Sequence, residues 1–265
     1  MIKRGNQEKG ENSMYRNYLS FSSNRLNFNA PLFIPVGSVE IHGNALPLGT
    51  DTFIAMAFAE KFADKVGGII FPPIYFGICP STGRFRETIS VTHEGFILYL
   101  KNILRGLIEN KFKRIVIINI HDGNHAAITS VVESTFMEKE YPVYYINPYN
   151  FMKDELDQKL FNGKDNSYKE ACLLFASLKV LGLKESKMNI NKANRDSNVN
   201  RPEELNILRK YGWVGFTYYK EEQHVGVRKD VDVSLGLQYL ESAANKIPEL
   251  MENLNKHVKR LNMLK

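Results

Sequence analysis

Arg114-Ile115-Val116-Ile117-Ile118-Asn119-Ile120, running straight into His121-Asp122-Gly123-Asn124-His125, is the stretch that decides the fold. It is apolar and β-branched with no alternation of polar residues, which reads as a strand buried on both faces. That is the habit of a central parallel strand covered by helices. Working outward, Leu32–Ser38 (LFIPVGS) reads as a second buried strand, Gly68–Ile74 (GIIFPPI) as a third closed by prolines, and Pro142–Asn147 as a fourth. Between them, helical spacing covers Asp51–Val66 (stopped by Gly67-Gly68), Thr92–Asn110 with a capping Thr92 and an early Glu94, and His125–Glu140. Helices are further expected over Tyr168–Leu181 and Ser234–Asn255. Trp213–Tyr219 reads as a strand and the rest of 184–233 as loop. Strands alternating with helices give an α/β fold, a parallel or mixed sheet covered on both faces.

Composition agrees. The chain has 265 residues, 43% hydrophobic and 24% charged, which are globular proportions and exclude a collagen, a disulfide scaffold or a mostly disordered chain. Residues 1–30 are polar and read as an N-terminal extension without the apolar core of a secretory signal; residues 31–265 read as a single domain. There is no apolar run of about 18 residues, so no membrane partner is expected. Cys79 and Cys172 are the only cysteines and lie far apart, as in a cytoplasmic chain with free thiols. The formal charge of +6 gathers partly at the two ends. No basic block is interleaved with aromatics, so no nucleic-acid partner is expected, while an anionic small substrate fits the balance.

In parallel sheets, ligands bind beyond the carboxyl ends of the strands. Two of these strands end in polar clusters. Glu40, His42 and then Asp51 follow LFIPVGS, and His121 follows RIVIINI. The i, i+2 spacing of Glu40 and His42 lets both project the same way, and the turn favoured by Pro47 and Gly49 lets Asp51 return to them. Imidazole with carboxylate is a donor set for zinc, manganese or ferrous iron. Each residue also has a structural reading: Asp51 as a helix cap, His42 as a turn residue, Glu40 as a solvent-facing strand end, and Ser167 with Glu170 as a capping box. His121 and His125 have the i, i+4 spacing of a helical zinc peptidase, but that chemistry needs a helix interior, which Gly123-Asn124 opposes.

The stretch Pro35-Val36-Gly37-Ser38-Val39-Glu40-Ile41-His42-Gly43, followed by Leu46-Pro47-Leu48-Gly49-Thr50-Asp51, resembles the creatininase signature P-x-G-S-x-E-x-H-G … L-P-L-G-T-D. Asn119-Ile120-His121-Asp122-Gly123-Asn124 resembles the second signature, N-G-H-G-G-N, and Phe76-Gly77 through Phe85–Ser90 resembles a middle segment. The resemblance covers residues 31–130 well. It implies a three-layer α/β/α fold with a mostly parallel central sheet, a homo-oligomer, and one or two divalent ions (zinc, manganese or iron) per subunit. It implies hydrolysis of non-peptide carbon–nitrogen bonds in a small cyclic amide or formamide. By position, Glu40, His42, Asp51 and His121 would be metal ligands. Glu170 aligns with the glutamate of the family's H-A-G-E segment, whose histidine is Ser167 here, and would be a further ligand or a proton donor.

His125 and Asp122 are candidates to protonate the departing nitrogen, Asn124 is a candidate substrate contact, and Asn119 or Asn124 could support His121. The family's Glu-His pair in the middle segment is Ser81-Thr82 here, and Arg84 and Arg86 replace other residues. These arginines are candidates to hold an anionic group on the substrate, or are solvated loop residues. The same residues also suit two other functions: a metal-binding member without catalysis, and a phosphate-binding regulator.

Overall fold

The computed structural model describes residues 17–22, 25–152, 160–161, 166–188, 190, 203–220, 224 and 230–263. Four parallel strands form its sheet: β1 (Leu32–Val36), β2 (Ile69–Ile70), β3 (Ile115–Asn119) and β4 (Tyr144–Ile146), in the order β2-β1-β3-β4. RIVIINI is thus an inner strand, paired on both sides. Its side chains alternate as a pleat requires. Val116 and Ile118 join Phe33 of β1 in one core, while Ile115 and Ile117 join Leu32, Ile34 and Val36 in the other.

Each core is closed by helices, giving three layers. On the first face lie α1 (Thr50–Val66), α4 (Asn166–Val180) and α6 (Val233–Met263). Helix α1 buries Ile54, Phe58 and Phe62 without exposure, each worth about 1.5–3 kcal/mol against leaving it in water. It stops where Gly67 turns left-handed (φ 64°) and donates its N–H to Ala63 O. On the second face lie α2 (His93–Glu109) and α3 (His125–Lys139). Thr92 caps α2 by accepting from Gly95 N at 3.1 Å, and Phe96, Leu100, Leu104 and Leu107 form its inward stripe.

Several boundaries differ from expectation. The third strand shrinks to two residues because Pro72 and Pro73 have no N–H to donate; single bridges continue it at Ile74. Trp213–Tyr219 is not a strand, and Glu203–Tyr211, expected as loop, is a helix, α5, that buries no side chain. The last helix runs through Pro248 to Met263. Residues 17–22 and 25–30 of the expected extension lie on the domain, with Tyr18 against Phe71 at 5.2 Å and Phe28 against Phe112 at 5.0 Å. Residues 1–16 of that extension lie outside the described residues. Among the described residues, no helix is long and apolar enough to cross a membrane.

This topology places the site. Helix α1 leaves β1 towards one face and α3 leaves β3 towards the other, so the chain parts between these adjacent strands. In such sheets this parting, at the carboxyl ends of the strands, is where ligands bind.

Candidate metal centre

Beyond β1, the chain turns tightly at Gly43 (φ 60°), with bridges from His42 to Asn44 and Leu46. That turn carries Glu40 and His42 inward and buries them at 3% and 1% exposure. Asp51, in the first turn of α1, joins them. It does not cap the helix, because Gly49 is the cap position and makes no side-chain bond. Instead its Oδ2 accepts from Ser38 Oγ at 2.8 Å and lies 2.9 Å from His121 Nδ1. Glu40 Oε1 lies 2.9 Å from that same nitrogen, and Glu40 Oε2 accepts from the Thr82 hydroxyl. His42 Nε2 is 3.4 Å from Asp51 Oδ1 and 3.7 Å from Glu170 Oε1. Four residues from two strand ends and one from α4 thus meet.

The two imidazoles are held alike. His42 Nδ1 donates to Glu40 O at 3.1 Å, and His121 Nε2 donates to Ile78 O at 2.8 Å. A carbonyl oxygen only accepts, so each of those nitrogens carries its proton, and the other nitrogen of each ring faces carboxylates. Metal-binding histidines are oriented in this way.

Without a cation, protons balance the cluster. Burial opposes the charged form of His42, but Asp51 and Glu170 outweigh it and raise its pKa to about 10. His121 is likewise raised well above the ordinary value, since burial is outweighed by Glu40 and Asp51. Burial pushes Glu40 up, yet His121 holds it below the usual carboxylate range, and Asp51 is held low against burial chiefly by His42. Glu170 goes the other way: burial, joined by the charges of Asp51 and Glu40, lifts it to about 8 despite His42. Its Oε2 is buried and has no hydrogen-bond partner among the described residues. Three inward carboxyl groups, two tethered imidazoles and an orphaned carboxyl oxygen are a donor set that a first-row divalent cation fits. Glu40, His42 and Asp51 offer donor atoms within 4.8 Å of one another.

Other expected residues fall elsewhere. Asn124 is fully buried and its amide is engaged throughout: Oδ1 accepts from Ile78 N, and Nδ2 donates to Gly37 O and Asn119 Oδ1. It is a brace between the two strand ends rather than a residue presented to substrate. Asn119 Nδ2 donates to His121 O at 2.8 Å, supporting the backbone. His125 is exposed, its Nδ1 3.0 Å from Tyr145 OH. Asp122 is exposed as well, although its charge reaches Glu170. Arg84 and Arg86 are exposed on the turn that follows Thr82. Ser167 and Glu170 lie inside α4, which starts by Asn166, so Ser167 is not its cap.

Some site residues were not legible beforehand. Cys79, read only as a free thiol, is buried and forms a second group of close donors with Glu40 and His121. Tyr149 borders the cluster, its phenol raised well above the ordinary pKa by burial and by Glu170. His224 packs on His42. No local spacing signals any of these three.

The family model for creatininase (creatinine amidohydrolase) matches residues 22–250. A 3-dehydro-scyllo-inosose hydrolase of Thermotoga maritima is 31% identical over 131 residues, 48% of this chain and 42% of that protein. A mycofactocin precursor peptide peptidase of Mycolicibacterium smegmatis is 32% identical over 136 residues, 46% of this chain and 54% of its own. The chain thus spans about half the length of the curated relatives it matches. A mutant creatininase complexed with creatine shares the fold at a TM-score of 0.70, with 16% identity over 90% of this chain and 98% of that one. Creatininase structures described as a zinc–zinc type and as a manganese form share it at 0.66 and 0.67, with 16% and 17% identity, over 87% of this chain and 96% and 97% of theirs.

Proposed function

The chain belongs to the creatininase family, and on that premise we propose that it is a divalent-metal-dependent amidohydrolase cleaving a non-peptide C–N bond in a small cyclic amide or formamide. The observation that carries this reading is the pair of imidazoles, each tied through one nitrogen to a backbone carbonyl and turning the other towards buried carboxylates. Glu40, His42, Asp51, His121 and Glu170 would hold one or two ions, with Asp51 between the two histidines as the shared ligand. When bound, a zinc, manganese or iron ion supplies Lewis acidity, polarising a carbonyl and lowering the pKa of water from about 15.7 towards about 7.

The chain's own residues do the rest. Thr82 and Ser38 fix the Glu40 and Asp51 carboxylates by donating to them, so these oxygens need not reorganise during the reaction. If Glu170 does not ligate, its buried Oε2, which has no hydrogen-bond partner among the described residues, would hold a proton and pass it to the departing nitrogen. Asp122 and His125, on the exposed rim, are the other candidate donors. Arg84 and Arg86 stand on the turn that delivers Thr82 and would grip an anionic group on the substrate in bidentate fashion. A homo-oligomer in the cytoplasm belongs to the same reading; exposed Leu98, Tyr99 and Met137 on α2 and α3 offer an apolar face for contact.

The test joins metal analysis to turnover. The purified chain, His42→Ala and His121→Ala are assayed for bound metal and for hydrolysis of a panel of lactams and formamides. Metal and activity in the wild type, both lost in folded variants, are expected. Unchanged metal content in either variant would reject the ligand assignment. Stoichiometric metal without turnover would leave a metal-binding member of the family that has no catalysis.

A further inference from the structure

His224 has no part in the reading above, yet it stands at the centre. Its ring is 8% exposed and sits between two others: Tyr218 at 5.0 Å and 84°, and His42 at 5.1 Å and 88°. Its Nδ1 is buried with no hydrogen-bond partner among the described residues. Burying an imidazole nitrogen unpaired carries a desolvation cost with nothing to offset it, and a phenyl ring would fill the same space without that cost. The nitrogen is therefore unexplained by packing.

Resting on the metal-centre reading, we propose that His224 is a further ligand of the ion held by His42, a third imidazole supplied by the chain beyond Tyr218. The spacing suits it. With metal–nitrogen bonds of about 2.0–2.1 Å and roughly 1.1 Å more to each ring centre, two imidazoles on one ion at angles between square and tetrahedral have centroids about 4.5–5.3 Å apart. His42 and His224 fall in that interval. Six residues earlier in the chain, Tyr218 N donates to Ser81 O at 3.0 Å and Thr217 Oγ1 to the same oxygen at 3.1 Å. The next residue, Thr82, holds Glu40. A centre with three imidazoles favours a nitrogen-seeking first-row ion such as zinc or cobalt over magnesium or calcium.

The experiment titrates the full, chelator-stripped chain with Co²⁺, following the visible absorption bands and measuring affinity by competition, in wild type, His224→Phe and His224→Ala. Phenylalanine keeps the ring stack and removes only the nitrogens. Both variants are expected to bind Co²⁺ about tenfold or more weakly and with altered band intensity. The metal-free thermal midpoint of His224→Phe should equal or exceed that of the wild type. Wild-type affinity and spectrum in His224→Phe would overturn the proposal and leave His224 a packing residue. If His224→Phe does not fold, unchanged Co²⁺ binding by His224→Ala overturns it in the same way. A wild type that binds no Co²⁺ would overturn the metal-centre reading and this proposal together.

Discussion

Gly123→Ala is a single methyl aimed at the tether of a metal-ligand candidate. A Cβ built on Gly123 would lie 1.9 Å from Ile78 O and 2.5 Å from His121 Nε2, the two atoms joined by the hydrogen bond that orients the ring. Contacts of a real Cβ essentially never fall below 3.0 Å, so the carbonyl or residue 123 must retreat by about 1.1 Å. Neither atom is the end of a flexible chain: Ile78 O is backbone, and the ring is fixed on its other side by Glu40 and Asp51. Two consequences follow in different quantities. Overpacking costs about 1–3 kcal/mol of stability, a fall of several degrees in the melting midpoint of the metal-free chain. Loss of the tether lets the ring rotate away from the carboxylates, and groups that orient a ligand are worth about 10–100-fold in metal affinity. The assay is competition between the chain and a chromophoric zinc chelator at pH 7, with circular dichroism to confirm the fold. Hydrolysis should fall at least as far as metal occupancy does. A folded Gly123→Ala protein with unchanged zinc affinity would refute the claim that the Ile78 carbonyl holds His121 in its binding orientation.

Three other outcomes are expected. Gly106→Ala, in the interior of α2 with nothing within 4 Å of the added Cβ, should stabilise the chain by about 0.5–1 kcal/mol in thermal or urea denaturation; destabilisation would contradict the open space seen there. In chelator, stability should fall as pH rises from 7 towards 10. His42 goes from the ordinary 6.5 to about 10 and Glu170 from 4.5 to about 8, so the folded chain binds more protons than the unfolded one over that range; the benefit is complete below the unfolded values and is lost through the folded ones. A flat or rising curve in metal-free urea titrations between pH 7 and 10 would rule out this proton-balanced cluster. Finally, Arg84→Ala with Arg86→Ala should lower kcat/KM for a phosphorylated formamidopyrimidine about a hundredfold or more while sparing neutral lactams, since each charged hydrogen bond contributes roughly 1.5–3 kcal/mol. Equal effects on both substrates would return the arginines to a solvated turn.

Sequence alone determined the parts of this protein whose physics is local. A run such as RIVIINI has one economical reading, an inner parallel strand, because nothing in it can face water; β3 is that strand. The turn residues around Glu40, His42 and Asp51 bring three donors to one strand end within a dozen residues, so this half of the site could be read from spacing, and His121 from its place after β3. Glu170 needed the family resemblance, since its spacing from Ser167 reads equally well as a helix cap.

Tertiary structure decided the rest, because the deciding contacts join residues far apart in the chain. Asn124 carries its polar amide into a gap between β1 and β3 that exists only once those strands pair, which makes it a brace rather than the substrate contact expected of it. Asp122 and His125, close to His121 in sequence, are left exposed at the short 3₁₀ turn that leads into α3. Thr82, Cys79 and His224 reach the cluster from 42, 42 and 182 positions away from Glu40, His121 and His42 respectively. No periodicity links such positions. A parallel sheet sends the loop that follows each strand to one edge, and only the folded order of its strands says which of these loops meet there.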